Sequence, residues 1–245
     1  MAKIAGLVQD ARRGIGMGIV MRPVPILILG LALSLPVYAV DLSTLSNKDA
    51  VGGLKEALDE SCRAAVGKLG IKDGFLGNPR VKIPLPGELQ KAANVMHKFG
   101  LGSYADELIV TMNRAAEAAV PEAKPILLNA VKKMTVRDAK GILAGGEDAA
   151  TQYFRKTTEN SLHAKFLPIV KEATRKVGLA EKYNEFAAKA TQFGLTRAPD
   201  LDQYVTQKTL DGLFLVMKEQ EKAIRAHPAA YGGKLLHEAF GAVAR

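Results

Sequence analysis

Tryptophan is missing from this 245-residue chain, aromatic residues make up only 6% of it, and Cys62 is its single thiol. Each shortage removes a class of protein. One cysteine forms no intramolecular disulfide, so the chain is not a disulfide scaffold. Scarce aromatic platforms argue against stacking readers of carbohydrate or single-stranded nucleic acid. Only one apolar run approaches bilayer length, which excludes a polytopic membrane protein. No H-E-x-x-H, paired-cysteine, G-x-S-x-G, phosphate-loop or dinucleotide motif occurs, and His97, His163, His227 and His237 share no metal-ligand spacing. Neither a metal site nor a cofactor is therefore expected. What remains is an ordinary globular composition, 48% hydrophobic and 24% charged, with a formal net charge of +9.

The apolar run has a leader's layout. Lys3, Arg12, Arg13 and Arg22 stand against Asp10 alone, the uncharged stretch from Val24 to Val40 follows, and Pro36 precedes Val37-Tyr38-Ala39. A positive segment, an apolar segment and small residues at the end predict a signal peptide over 1–39, cleaved after Ala39. The competing reading, an uncleaved anchor, needs about 20 apolar residues, and this run is shorter and carries prolines. From Met1 the positive segment is long; Met17 or Met21 gives a more usual length. Removing residues 1–39 takes away four cations and one acid and leaves a formal charge of +6. The expected product is a periplasmic or secreted protein, residues 40–245, folded as a single helical domain. Its basic surplus suits peripheral contact with anionic envelope surfaces and makes nucleic acid an unnatural partner.

Beyond the leader, apolar residues recur at spacings of three and four, with no sustained alternation, so the expected fold is all-α: a compact bundle of eight to ten helices. Ser46 with Asp49 opens the first helix, which Gly70 closes in a left-handed conformation; Pro86 and Gly87 open the second, which Gly100 closes. Ser103 with Asp106 caps the third, Pro121 ends it, and Thr135 with Asp138 caps a short one stopping at Gly145-Gly146. Residues Glu147 to Val177 read as one long helix or two shorter ones, with a break or kink near Pro168 the favoured reading. Helices over Leu179–Phe193, from Asp200 to about Ala226, and over Ala229–Val243 complete the chain. One irregular loop, about 70–87, resists the pattern, since Pro84 and Pro86 force extended geometry before them. Phe75, Ile83 and Leu85 favour a loop packed over a helical groove ahead of a binding loop.

Several strings together resemble a known family. Asp73-Gly74-Phe75, Lys82-Ile83-Pro84-Leu85-Pro86, Met112-Asn113-Arg114-Ala115-Ala116-Glu117, Ala149 to Arg155, Phe166-Leu167-Pro168-Ile169-Val170, and Tyr204-Val205-Thr206 leading to Leu210-Asp211-Gly212-Leu213-Phe214 are similar, in that order, to bacterial exported proteins of the domain-of-unknown-function family four-one-nine-seven. The resemblance covers nearly all of residues 48–241. It implies an exported helical protein and brings no reaction, cofactor or catalytic residue to carry over.

Two groups of polar residues stand out within apolar helices. Asn113, Arg114 and Glu117 share one helical surface flanked by alanines, which permit close approach and would bury them. As chemistry, Glu117 would be a desolvated acid or base with Arg114 orienting an anion. As structure, the three form a hydrogen-bonded network that sets helix register, the favoured reading. Thr151, Tyr153 and Arg155 follow Gly145-Gly146-Glu147-Asp148, whose two acids argue against phosphate at that helix start. Arg155 is expected to pair with Glu117 or Asp211, and Gly212 to mark close packing or a bend. Glu221 and Arg225 read as a surface or end-of-helix pair. Cys62 reads as a small half-buried apolar residue. The leading functional expectation is a non-enzymatic envelope module binding an apolar or anionic small ligand, or a protein partner, between helices. The alternative is a hydrolase or lyase acting on an envelope component through Glu117 with Arg114 or Arg155.

Overall fold

Apolar residues three and four apart build helices here, and polar residues at their ends decide where each begins. A computed structural model describes residues 47–176, 178–193 and 200–227, and among these the chain is all-helical, without strands. The order is α1 (Asn47–Leu69), α2 (Gly87–Lys98), α3 (Ser103–Ala119), α4 (Ala123–Lys133), α5 (Val136–Leu143), α6 (Ala149–Lys176), α7 (Leu179–Ala190) and α8 (Leu201–Ala226). The expected leader over 1–39, the loop over 194–199 and the last expected helix over 229–243 lie outside the described residues.

Capping chemistry sets several boundaries. Thr135 and Asp138 form a reciprocal box, the Asp138 amide donating to Thr135 Oγ1 at 3.1 Å and the Thr135 amide to Asp138 Oδ2 at 2.9 Å. These hydrogen bonds hold the Asp138 carboxyl below the usual carboxylate range. Asp200 caps α8 by accepting from the Gln203 amide at 3.0 Å. At α3 the expectation fails: Ser103 is already helical, the cap is Gly102, and no side chain caps it. Gly102 stands there because the His97 ring occupies the space; an added Cβ would lie 2.0 Å from Nδ1. Gly70 is not left-handed either. The left-handed residues of this region are Asp73, at φ 67°, and Gly100, at φ 73°. Gly70 is held to glycine by crowding, since a Cβ would meet the Val66 carbonyl at 2.9 Å and Pro121 at 3.0 Å.

The expected break at Pro168 does not occur. Helix α6 runs through it for 28 residues as one helix, and the described residues hold eight helices, the low end of the expected eight to ten. The reason is burial. Phe154, Thr158, Leu162, Phe166, Val170 and Thr174 are all buried at a spacing of four. Such a stripe drifts about 40° per step and turns through about 200° from Phe154 to Thr174. It therefore presents buried residues to several neighbours, and α6 packs against α3, α4, α5, α7 and α8. The cost of one lost helical hydrogen bond, about 3 kcal/mol, is outweighed by apolar burial on both sides of an exposed proline. Thr151 at the start of α6 bonds Glu221 near the end of α8, and Thr174 near the end of α6 bonds Asp202 at the start of α8. The two longest described helices are thus antiparallel partners over most of their length.

The irregular segment spans 70–86 and lies across α3 and α8 as a strap. Phe75, Val81, Ile83 and Leu85 are buried, in keeping with a packed loop. Arg80 meets Glu219 on α8 at 2.8 Å, and the Tyr204 hydroxyl of α8 donates to the Pro84 carbonyl at 3.0 Å. The Phe75 ring rests on Gly212, where an added Cβ would stand 2.7 Å from Cε1 and 3.3 Å from Val81 Cβ. Close packing, rather than a bend, explains a glycine inside this helix. Gly212→Ala should consequently lower stability by about 1–2 kcal/mol, because overpacking outweighs the gain of about 1 kcal/mol in helix propensity. Thermal unfolding reads the sign; a raised melting temperature would mean that the strap can give way.

Candidate functional site

Helix α3 turns Asn113, Arg114 and Glu117 towards the strap. Asn113, fully buried, treats Ile83 as a strand partner would: its Oδ1 accepts from the Ile83 amide at 2.9 Å and its Nδ2 donates to the Ile83 carbonyl at 2.9 Å. The remaining amide hydrogen goes to the Ile109 carbonyl at 2.8 Å. One turn on, Glu117 Oε1 accepts from two successive strap amides, Phe75 and Leu76, each at 3.1 Å. Its other oxygen takes Arg114 Nη1 at 2.6 Å, and Arg114 Nη2 reaches Asp73 Oδ1 at 2.7 Å. Bonds to Glu117 and then Asp73 raise the Arg114 guanidinium above its ordinary value. The strap is a run of turns as far as Val81 and extended from there to Pro86, and the buried backbone groups that its own turn bonds leave over need side-chain partners. Asn113 and Glu117 supply them.

This is a structural network, but it pins a loop to a helix rather than setting register between helices. Proton transfer through Glu117 would need an oxygen free to face substrate. Its 5% exposure and its three donors leave the carboxylate committed to the strap.

The other candidates scatter. Thr151 is buried against α8, its amide and hydroxyl both donating to Glu221 Oε2 at 2.9 Å. Tyr153 turns towards α4 and donates to the Ala130 carbonyl at 3.2 Å, with Phe154 edge-on at 5.7 Å. Burial first, and the Asp138 charge second, raise its hydroxyl's pKa. Arg155 pairs with Glu159 at 3.0 Å and with Asp211 at 3.8 Å, and its guanidinium lies 4.6 Å from the centre of the Phe214 ring. Of the two expected partners, Asp211 is therefore met and Glu117 is not; Glu117 is held by Arg114 one turn away. Asp211 also receives Gln207 Nε2 at 3.2 Å. Three side chains at alternate positions of one helix thus serve three separate contacts.

Glu221 has a larger role than its surface reading allowed. It is 4% exposed and caps α6 from α8, Oε1 accepting the Ala150 amide and Oε2 the Thr151 amide, both at 2.9 Å. Arg225 closes the arrangement, donating to Glu221 Oε1 at 2.9 Å and to the Ile142 carbonyl at 2.9 Å. The anion at this helix start is the protein's own carboxylate, which the dipole and unbonded amides of α6 favour. Glu147 and Asp148 turn instead to Lys222 at 2.9 Å and Lys218 at 2.8 Å. The available signal was position: Glu221 lies on the buried stripe Leu210, Leu213, Met217, Ile224, where an acid must find donors. Cys62 is fully buried, and desolvation pushes its thiol up out of the reactive range.

Between α3 and α6 lies a groove of about 540 Å³ lined by Arg114, Ala118, Lys165, Pro168, Ile169, Glu172, Ala173 and Lys176. Its walls are small and apolar, and its charged groups are mainly cationic. Pro168, which sequence reading treated as a helix breaker, forms part of the wall. Among the described residues no group of three or more His, Cys, Asp or Glu is placed to hold a metal ion, and no helix is long and apolar enough to cross a membrane.

No curated protein and no solved structure matches the chain. A family model described as "Protein of unknown function (DUF4197)" matches residues 44–241, taking in the strap, both polar clusters and the α3–α6 groove. The chain belongs to this family.

Proposed function

We propose that this chain is an exported, non-enzymatic binding module that holds an amphiphilic anion, an acyl chain ending in a carboxylate or phosphate, in the α3–α6 groove. The lining carries the reading: Ala118, Pro168, Ile169 and Ala173 offer apolar contact, while positive charge comes from Lys165 and Lys176, only loosely paired with Glu122 at 3.9 Å and Glu172 at 3.5 Å, beside the braced Arg114. About 540 Å³ falls within the ordinary range for small-ligand sites. Arg114 links groove and strap, because the guanidinium bonded to Glu117 and Asp73 also lines the groove. Export is supported by the arrangement of Lys3, Arg12, Arg13 and Arg22 before the apolar run ending at Ala39. A mature chain beginning at Val40, read by mass spectrometry, is the expected product.

Dansyl-labelled undecanoate tests the groove. The fluorescence of the bound probe should rise and saturate with the native chain. Ala118→Trp, which fills the groove from an exposed helical position, should abolish the change with the melting temperature nearly unaltered. Lys165→Glu should weaken binding about tenfold. Equal binding by native and Ala118→Trp chains would place the ligand elsewhere.

A further inference from the structure

The charges of this basic protein are unevenly neutralised. Arg80, Arg114, Arg155, Lys182, Lys218 and Lys222 each meet a carboxylate within 3.0 Å. Among the described residues, cations without such a pair also stand singly elsewhere, as Lys82 and Lys98 do, but the corner where α4 gives way to α5 concentrates them. Between Ala123 and Leu143 five cations stand against one acid, Asp138, and that acid is engaged in the α5 capping box. Lys132, Lys133, Arg137 and Lys140 are exposed there, and Arg137 and Lys140 share one side of α5 at a spacing of three. Lys55 arrives from α1, its amino group donating to the Lys132 carbonyl at 3.3 Å, and exposed Lys156 of α6 precedes Thr157, which lines one groove with Lys133 and Asp138. None of these six cations forms an ion pair with a carboxylate among the described residues. Val136 projects from the same corner, 50% exposed, while Ala139 and Ile142 of the same helix are buried and Leu143 partly so.

We infer that the α4–α5 corner, with Lys55, Lys132, Lys133, Arg137, Lys140 and Lys156 around exposed Val136, is a docking surface for an anionic phospholipid bilayer. Charge complementarity selects the partner. Unpaired lysines and arginines on one face gain from the negative potential at such a surface, and that gain decays within a Debye length. The apolar side chain selects lipid over a soluble polyanion. Val136 gains by entering the headgroup boundary, whereas a polyphosphate gives it nothing to enter. The placement differs from the α3–α6 groove, so the two sites are tested independently.

The test is co-sedimentation of the full chain with vesicles of phosphatidylglycerol and phosphatidylcholine, and with phosphatidylcholine alone. The apolar run over 24–40 is common to all variants, so neutral vesicles report its background. Native chain should bind the anionic vesicles more tightly, with the difference vanishing at high salt. Replacing both Arg137 and Lys140 by Glu should lower that affinity by about tenfold or more, from roughly fivefold per neutralised cation. The milder Lys132→Gln with Lys133→Gln serves if the first pair disturbs folding. A charge-matched control, Lys82→Glu with Lys98→Glu, should fall much less. Val136→Asp should weaken vesicle binding but leave binding to soluble polyphosphate unchanged. Equal loss in the control pair, no loss in both corner pairs, or equal Val136→Asp effects on polyphosphate and vesicles would each overturn the assignment.

Discussion

Glu221→Ala should destabilise this protein by about 4 kcal/mol and lower its melting temperature by roughly 10 °C. The side chain removed is 4% exposed and holds the Ala150 and Thr151 amides, the Thr151 hydroxyl and Arg225 together. Truncation strips the N-terminus of the longest described helix of its anion and leaves the Arg225 guanidinium, 14% exposed, without that carboxylate. Breaking one half of such a pair costs far more than an exposed pair contributes, because the other charge stays desolvated. Glu221→Gln keeps one acceptor and should lose about half as much. Chemical denaturation of both variants checks the order; a loss below about 1 kcal/mol for alanine would return the pair to the surface role suggested by its spacing alone.

Glu117→Ala should cost about 3 kcal/mol, and Asn113→Ala a comparable amount. Each removes the partner of buried strap backbone: the Phe75 and Leu76 amides in one case, both polar groups of Ile83 in the other. Glu117→Gln retains an oxygen for the amides and loses the charge facing Arg114, so about 1–2 kcal/mol is expected. The pattern separates bracing from catalysis. A catalytic carboxylate changed to its amide leaves folding intact and removes turnover, whereas here the melting temperature should fall with each substitution.

Helical class, most boundaries and the packed character of the strap were legible in the residues, since each follows from local rules of periodicity, capping and proline geometry. Thr135 with Asp138 and Asp200 with Gln203 are such local devices. Pro168 misled because its local penalty competes with a buried stripe visible only when neighbours on several sides are known. Gly70 misled similarly: it is glycine because the Val66 carbonyl and Pro121 crowd it, while the left-handed turn falls on Asp73; Ser103 misled because α3 is capped by Gly102, which fits beneath the His97 ring. The cluster Asn113, Arg114 and Glu117 was found because alanines surround it, but its partners, 30 to 42 residues away, were not. Thr151, Tyr153 and Arg155 looked like one cluster because they are close in sequence, but alternate residues on a helix point apart. Glu221 stood unrecognised on an apolar stripe, the same anomaly that drew attention to Glu117.

The strap is the centre of this account: a segment without regular structure is held between α3 and α8 by side chains that replace a backbone ladder. Amide hydrogen exchange reads it residue by residue. In the native chain the Phe75, Leu76 and Ile83 amides should exchange as slowly as helix amides of α3. Glu117→Gln should speed the first two and Asn113→Ala the third, each by tenfold or more, with the α6 amides little changed. Rapid exchange at all three positions in the native chain would contradict the account, because the strap would then be an ordinary surface loop and Glu117 would be free for other work.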